Sequence, residues 1–287
     1  MPYVTRRGQP QLRNPVLVAG FEGWNDAGEA ASFAARFLAE RWDAEVFAEI
    51  DPEDFFDFTS TRPQVRLDEG MQREIVWPAT TMSAAAIPGG SRDVIFLIGT
   101  EPQLRWRTFC EEIVAVAAEH DVRLVVTLGA LLAEVPHSRP VHVVGTTQDP
   151  SLVRSLGLQQ SQYEGPTGIV GVLHDTFRRT GVPAVALWAT VPTYVPSAPS
   201  PKAALALLER LAHLLRAPVA TTDLEIASAA YERQIDELVA EDDDTAAYVA
   251  RLEESVDEEA VSPPLTEDVS SEDLIAEVER FLRDNGG

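Results

Sequence analysis

Carboxylate, amide and aromatic side chains crowd into one short turn near the start of the chain. Residues 15–37 read PVLVAGFEGWNDAGEAASFAARF, in which an apolar run precedes the turn and an alanine-rich stretch follows it. The turn carries Glu22, Trp24, Asn25 and Asp26. Carboxylates in such a turn can bind a metal ion or exchange protons with a substrate. The pattern predicts a strand, a tight turn and a helix, the first half of a βαβ unit.

Further polar residues follow other apolar runs of the sequence. They are Thr100 and Glu101 after one run, His137 in a loop after the next, and Thr167 and Gly168 before a helix. Because ligands bind beyond the carboxyl ends of parallel strands, we expect these loops and the first turn to share one neighbourhood. The combined set predicts a ligand-binding cleft. We assign to it no catalytic residue, no metal ion and no cofactor.

Each of these residues also has a structural interpretation. Asp26 can cap the helix that follows it, which is the more common role, while Glu22 is as suited to a ligand as to backbone hydrogen bonds of the turn. The segment GPTGIVG at 165–171 can hold an anion at a helix N-terminus, but close packing of that helix on the sheet is favoured. A loop histidine such as His137 is more often solvated than catalytic.

The sequence contains no complete catalytic signature. Neither the GxSxG nucleophile elbow nor the HExxH metal motif occurs in it. A Walker phosphate loop is excluded because Lys202 is the only lysine and follows no glycine-rich loop. Cys110 is the only cysteine, which excludes an intramolecular disulfide and a cysteine-based zinc site, and its place on an apolar helix face predicts a buried thiol.

Strand and helix patterns alternate from residue 15 to residue 190. We therefore predict an α/β three-layer sandwich with a largely parallel sheet and an all-helical C-terminal extension. The expected strands are 16–19, 45–50, 73–77, 93–98, 123–128, 141–145 and 185–190, and helices are expected over 106–120 and from 168 to about 179. Phe55, Phe56 and Phe58 are expected to be buried, since together they would form an adhesive patch.

The prolines that follow residue 191 mark a change to purely helical patterns. We place an α/β core domain at 1–199 and a helical subdomain at 200–260. Residues 261–287 are expected to form an acidic linker, which contains Ser262-Pro263-Pro264, and a terminal amphipathic helix.

Negative charge is concentrated in the C-terminal part of the chain. The net charge is −23, and the residues from 221 onward contain 21 Asp and Glu against four Arg, a balance of −17. This acidity argues against nucleic acid and anionic membranes as partners. The acidic tail is either a solvated surface or an arm that binds other proteins. No run approaches roughly 18 apolar residues and no secretory signal is evident, so we expect a cytoplasmic protein.

Three segments carry a family resemblance. The run VLVAGFEGWNDAG at 16–28 resembles the N-terminal signature of the proteasome-assembly-chaperone-two-like family, in particular of its uncharacterised bacterial branch. GPTGI at 165–169 and VPTYV at 191–195 fit the same pattern. The resemblance covers about residues 14–199 and implies a phosphorylase/hydrolase-like fold and a homo-oligomer, with a trimer as the first expectation.

The resemblance also implies relatives that escort proteasome subunits and catalyse no reaction. Such chaperones typically end in a hydrophobic residue, a tyrosine and any third residue, whereas this sequence ends RDNGG at 283–287, so C-terminal docking is not implied. The leading hypothesis is a non-catalytic assembly factor that binds itself and, through the acidic helical tail, other proteins. The alternative is a small-molecule-binding protein or a hydrolase- or phosphorylase-like enzyme that uses the strand-end cleft.

Overall fold

The computed structural model describes residues 3–67, 72–156, 158–161 and 163–261. Within these ranges the strands are β1 (Val4–Arg6), β2 (Val16–Glu22), β3 (Glu45–Ile50), β4 (Gln64–Leu67), β5 (Arg73–Val76), β6 (Thr80–Ala86), β7 (Asp93–Thr100), β8 (Leu124–Ala133), β9 (Val143–Thr147), β10 (Gln159–Gln160) and β11 (Ala184–Pro192). The helices are α1 (Ala30–Arg41), α2 (Trp106–Glu119), α3 (Pro150–Leu156), α4 (Ile169–Thr180), α5 (Pro201–Leu215), α6 (Thr222–Ala240) and α7 (Asp243–Val261).

Nine of the strands form one sheet in the order β1-β3-β6-β7-β2-β8-β11-β9-β10. The four central strands, β7, β2, β8 and β11, run parallel to one another. Antiparallel pairs flank them, between β6 and β7 on one side and between β11 and β9 on the other. The predicted α/β fold class is confirmed, with the parallel strands at the centre of the sheet.

The central strands are apolar on both faces because helices cover both sides of the sheet. Along β2, Val16 and Val18 point into a cluster shared with α1 and α5. The intervening Leu17 and Ala19 point into a second cluster shared with α2 and α4. Each fully buried Val or Leu side chain contributes about 1.5–3 kcal/mol to folding. The two helical layers and the sheet between them form the predicted three-layer sandwich.

The alanine-rich face of α1 packs on the sheet. Ala30, Ala31, Ala34, Ala35 and Leu38 are fully buried there. Of the two phenylalanines of this helix, Phe33 lies on the outer side, whereas Phe37 is half-buried and packs against the core. Phe33 is 43% exposed and stacks on Phe37, with ring centroids 6.2 Å apart.

The segment between β3 and β7 departs most from the sequence prediction. Strand β6, made largely of small residues (TTMSAAA), was not predicted, and it pairs with both neighbouring strands. Strands β4 and β5 form a separate two-stranded sheet. Burial is confirmed for Phe55 and Phe56, whereas Phe58 is only half-buried and contacts Trp77.

The C-terminal helices begin with α5, which is part of the main core. Ser200 caps it by accepting a hydrogen bond from the Ala203 N–H at 3.3 Å, and Pro201 occupies its first turn. Helix α6 packs on α5 through Leu224 and continues into α7. The linker and terminal helix were predicted at 261–287; Val261 is the last residue of α7, and residues 262–287 lie outside the described residues. No helix in the described ranges is long and apolar enough to cross a bilayer.

Candidate functional site

The carboxylate of Glu22 lies at the end of β2, beside the end of β7. Glu22 and Thr100 are register partners of these two parallel strands, and the Thr100 hydroxyl donates to Glu22 Oε2 at 2.8 Å. Arg36 of α1 pairs with Glu22 Oε1 at 2.8 Å. Both oxygens of this half-exposed carboxylate therefore have a partner within the chain.

Glu101 connects the first turn to the start of α4. Its Oε1 accepts a hydrogen bond from the Ile169 N–H at 2.7 Å and lies 3.5 Å from Nδ2 of Asn25. The backbone N–H of Trp24 also donates to this carboxylate. Burial raises the pKa of Glu101, and these backbone hydrogen bonds partly offset that rise. Through these hydrogen bonds Glu101 joins the first turn to the start of α4.

Asp26 caps helix α1, in agreement with the structural interpretation of this residue in the sequence analysis. Its Oδ1 accepts hydrogen bonds from the N–H groups of Ala31 at 2.7 Å and Ser32 at 3.1 Å, in the first turn of α1. These donors have no partner within the helix, so the carboxylate satisfies them. Asp26 is buried, and burial raises its pKa against the opposing effect of those hydrogen bonds.

Gly168 allows the start of α4 to approach the first turn closely. A β-carbon at this position would lie 2.4 Å from Nδ2 of Asn25 and 2.8 Å from Oε1 of Glu101. A β-carbon on Gly171 would lie 2.0 Å from the Thr167 hydroxyl oxygen. These glycines therefore allow α4 to pack closely on the first turn, on Glu101 and on its own preceding loop, and these contacts do not test the predicted packing on the sheet. No side chain larger than hydrogen fits at either position without a shift of its neighbours.

The first turn also contacts the end of β8. The carbonyl oxygen of Asn25 accepts a hydrogen bond from the Ala130 N–H at 2.8 Å, and Asp26 forms a parallel bridge with Ala130. Three of the four predicted loops thus come together. We call their polar side chains the strand-end cluster: Glu22, Asn25, Asp26, Thr100 and Glu101.

His137 belongs to a different set of contacts. The expectation of a solvated side chain is wrong, because His137 is 4% exposed. Its Nδ1 lies 2.7 Å from the hydroxyl of Tyr194, and its Nε2 lies 2.9 Å from Oδ1 of Asp236 on α6. Burial raises the pKa of Tyr194 to about 12, so its hydroxyl is protonated and can donate to Nδ1. Nε2 then carries the proton that Asp236 accepts.

The loop around His137 attaches the acidic helices to the core. Arg139 pairs with Asp257 at 2.6 Å, and Ser138 hydrogen-bonds to Glu253. Lys202 donates to the carbonyl oxygen of His137 and pairs with Glu232. The sequence analysis did not predict that this loop attaches the acidic helices. Lys202, the only lysine of the chain, was a signal that could have suggested it.

A cavity of about 350 Å³ opens beside the strand-end cluster. Trp24, Asp26 and Gly28 line one side of it, and Leu131 and Pro196 line the other. Among the described residues, no group of three or more His, Cys, Asp or Glu side chains is arranged to hold a metal ion. The cavity wall consists mainly of apolar side chains and backbone atoms. The carboxylate of Asp26 in this wall already accepts hydrogen bonds from α1.

Cys110 is buried on α2, as its place in the sequence predicted. Burial raises the pKa of this thiol to about 12. Since the thiolate is the nucleophilic form of cysteine, such a thiol is unreactive near neutral pH.

The chain is similar to proteins of a known family and to several solved structures. A family model described as PAC2 family matches residues 20–239. A PAC2 family protein from Streptomyces avermitilis is 49% identical, with a TM-score of 0.77, over 82% of this chain and 99% of that chain. A proteasome-assembly chaperone homologue from Mycobacterium tuberculosis is 48% identical, with a TM-score of 0.74 and the same two coverages.

A third solved structure covers more of the chain at lower identity. This Mycobacterium tuberculosis protein of unknown function is 28% identical, with a TM-score of 0.83, over 98% of this chain and 95% of that chain. No curated protein matches the chain.

Proposed function

The chain belongs to the PAC2 family, and from that premise we propose that it is a non-catalytic assembly factor that binds other proteins. The resemblance drawn from residues 16–28, 165–169 and 191–195 is confirmed by the family match. The proposal further holds that the protein acts in the cytoplasm as a homo-oligomer, with a trimer as the first expectation.

The observation that carries this proposal is the state of the strand-end cluster. Glu22 is engaged by Thr100 and Arg36, Asp26 by the start of α1, and Glu101 by the start of α4. Carboxylates that satisfy helix N-termini hold the fold together, and the partners of Glu22 likewise lie within the chain. The cluster therefore supports a structural role at the place where α/β enzymes carry their chemistry.

The relative from Mycobacterium tuberculosis suggests which class of partner to test. That protein is described as a proteasome-assembly chaperone homologue. By extension we propose proteasome subunits as the clients of this chain, with the acidic helices α6 and α7 as one contact surface.

A reconstitution experiment tests the assembly role. Purified α and β proteasome subunits from the organism of this protein would be mixed with and without the full chain, and particle formation followed by native mass spectrometry. We expect a transient complex that contains this chain and faster formation of the mature particle. A chain that ends at Val261 tests whether the acidic residues beyond α7 contribute. Unchanged assembly together with no complex would contradict the proposal.

The cavity beside Trp24 favours a second candidate function, the binding of a small molecule. Its volume of about 350 Å³ is within the range of ligand pockets. Thermal shift against a metabolite collection tests this candidate, with Leu131→Trp as a variant that fills the cavity. A ligand at about 100 times its Kd adds about 2.7 kcal/mol to stability, so millimolar concentrations are needed for weak binders. A shift that Leu131→Trp abolishes would support the candidate, and no shift with any compound would contradict it.

A further inference from the structure

The cavity beside Trp24 lies between three separate parts of the chain. They are the first turn, the end of β8 and the loop between β11 and α5. The first and third of these parts are held together by the backbone, since the Ser200 N–H donates to the carbonyl oxygen of Gly28 at 2.7 Å. A volume of about 350 Å³ lies at the lower end of the range of ligand pockets, so the cavity suits a small molecule.

Trp24 is the one aromatic residue among the described residues that line this cavity. Its half-buried indole has no hydrogen-bond partner, no aromatic partner and no cation over its ring within the described part of the chain. By contrast, Phe37, Tyr3 and Tyr248 each carry an arginine, at 5.0, 5.2 and 5.7 Å from the ring centroid. Tryptophan attracts cations more strongly than the other aromatic side chains do. The ring of Trp24 is therefore available to a cation from outside the chain.

The charge of the cavity is negative. Asp26 and Glu29 line it, and no lysine, arginine or histidine does so among the described residues. The carboxylate of Glu29 is exposed and has no hydrogen-bond or ion-pair partner in the ranges that the structure describes. Arg36 acts on Asp26 through its charge, but its guanidinium pairs with Glu22 at 2.8 Å. The cavity therefore attracts a cationic ligand and repels an anionic one.

The wall also selects among cations. Asp26 already accepts hydrogen bonds from the start of α1, and Leu131, Leu132 and Pro196 contribute apolar side chains. A primary ammonium group has three N–H donors that need acceptors, whereas a quaternary ammonium group has none. Since a buried donor without an acceptor is costly, this wall favours methyl groups around the charge.

We propose that the cavity beside Trp24 binds a small organic cation whose charge lies on a methylated, quaternary ammonium group. The ring of Trp24 faces the charge, the carboxylates of Glu29 and Asp26 balance it, and the apolar wall contacts the methyl groups. This ligand class rests on the second candidate in the proposed function, the binding of a small molecule, and names the chemistry of that molecule.

Calorimetric titration of the full chain with choline gives the first test. Choline carries a quaternary ammonium group, and its neutral carbon analogue, in which carbon replaces the ammonium nitrogen, has the same shape without the charge. We expect choline to bind at one site per chain. The neutral analogue should bind at least about tenfold more weakly, because it makes neither the cation–π contact nor the ionic contacts.

Variants of the cavity give the second test. Trp24→Leu should weaken choline binding at least about tenfold and leave the neutral analogue unchanged, since leucine keeps an apolar wall but has no aromatic face. Trp24→Phe should give an intermediate affinity, and Glu29→Gln should weaken choline binding about two- to fivefold. Trp77→Leu, at a 45% exposed tryptophan outside the cavity, is the matched control and should bind choline as the wild type does. Thermal unfolding of each variant without ligand shows that it is folded.

Three outcomes would overturn the proposal. Equal affinity for choline and its neutral analogue would show that the cavity takes apolar ligands, and no binding of choline at millimolar concentration would exclude this ligand class. Choline binding that Trp24→Leu leaves unchanged would place the cation elsewhere on the chain. The metabolite screen with Leu131→Trp is read separately, so a hit of another chemical class there would keep the small-molecule candidate and reject only the ammonium group.

Discussion

Glu101 shows why a carboxylate at a strand end need not be catalytic. It follows β7 directly, and its side chain joins the first turn to the start of α4 through donors from Trp24 and Ile169. Helix N-termini favour negative charge, which compensates in part for the burial of this group. The same chemistry that would recognise an anionic ligand is used here between two parts of the chain.

Replacement of Glu101 should reveal this structural role. Glu101→Gln keeps an oxygen acceptor for the Ile169 N–H, whereas Glu101→Ala leaves it unsatisfied and should cost about 1–3 kcal/mol of unfolding free energy. Urea denaturation measures both changes. Glu22→Ala, at a half-exposed position in the same cluster, is the comparison and should cost no more than about 1 kcal/mol.

The pH dependence of Glu101→Gln follows from the direction of the Glu101 pKa shift. Burial raises this pKa in the folded state, so the native protein binds the proton more tightly than the unfolded chain does. That contribution to stability is fully present below the unfolded value of about 4.3 and is lost as the pH rises through the folded value. Glu101→Gln lacks this loss, so its stability relative to wild type should increase as the pH rises from the unfolded value through the raised folded pKa of Glu101. A constant difference would contradict the burial of a charged carboxylate.

The contacts of this cluster could be predicted only in part from the sequence. Asp26 caps a helix that begins a few residues later, so its role followed from local spacing. Glu101 and Ile169 are 68 residues apart, and their contact depends on the order of strands in the sheet. The burial of His137 depends in the same way on Tyr194 and Asp236, which no local pattern connects to it.

Among the elements, the loop 134–139 determines how the acidic helices attach to the core. Its residues contact α6 and α7 through hydrogen bonds of His137 and Ser138 and through the ion pairs of Arg139, and Lys202 contributes from α5. The side chains of Lys202 and His137 are largely buried, at 13% and 2% exposure. Removing a buried donor is costly because its acceptors are left without a partner.

Lys202→Met should weaken the attachment of α6. The change keeps the length of the side chain but leaves Glu232 and the carbonyl oxygen of His137 without their donor, at a cost of about 1–3 kcal/mol. Hydrogen exchange followed by mass spectrometry should show faster exchange in α6 and α7 and little change in β2 and β8. Arg123→Met removes an ion pair with 74% and 82% exposure and is the control, expected within about 0.5 kcal/mol of wild type. Equal protection of α6 in both variants would contradict this role.

The elements themselves were predictable to the extent that they are buried on both faces. The continuous apolar runs of β2, β7 and β11 made these strands evident, since central parallel strands contain few polar residues. Strand β6 is rich in small residues of low strand propensity, and its pairing with β3 and β7 decides its conformation. The edge strand β10, two residues long, has no periodicity to detect.

At the scale of the whole molecule, negative charge is concentrated in the C-terminal helices. Helices α6 and α7 and the turn between them, residues 222–261, contain 14 Asp and Glu against two Arg. Repulsion within these acidic helices opposes folding. Salt screens this repulsion.

Sodium chloride should therefore stabilise the fold. Raising its concentration from about 0.1 M to about 1 M shortens the Debye length from about 10 Å to about 3 Å. We expect the Tm of the protein at low concentration to rise by about 2–4 °C, equivalent to about 1 kcal/mol for a chain of this size. Thermal denaturation followed by calorimetry measures the change. A Tm that stays constant or falls over this range would contradict net repulsion within the acidic helices.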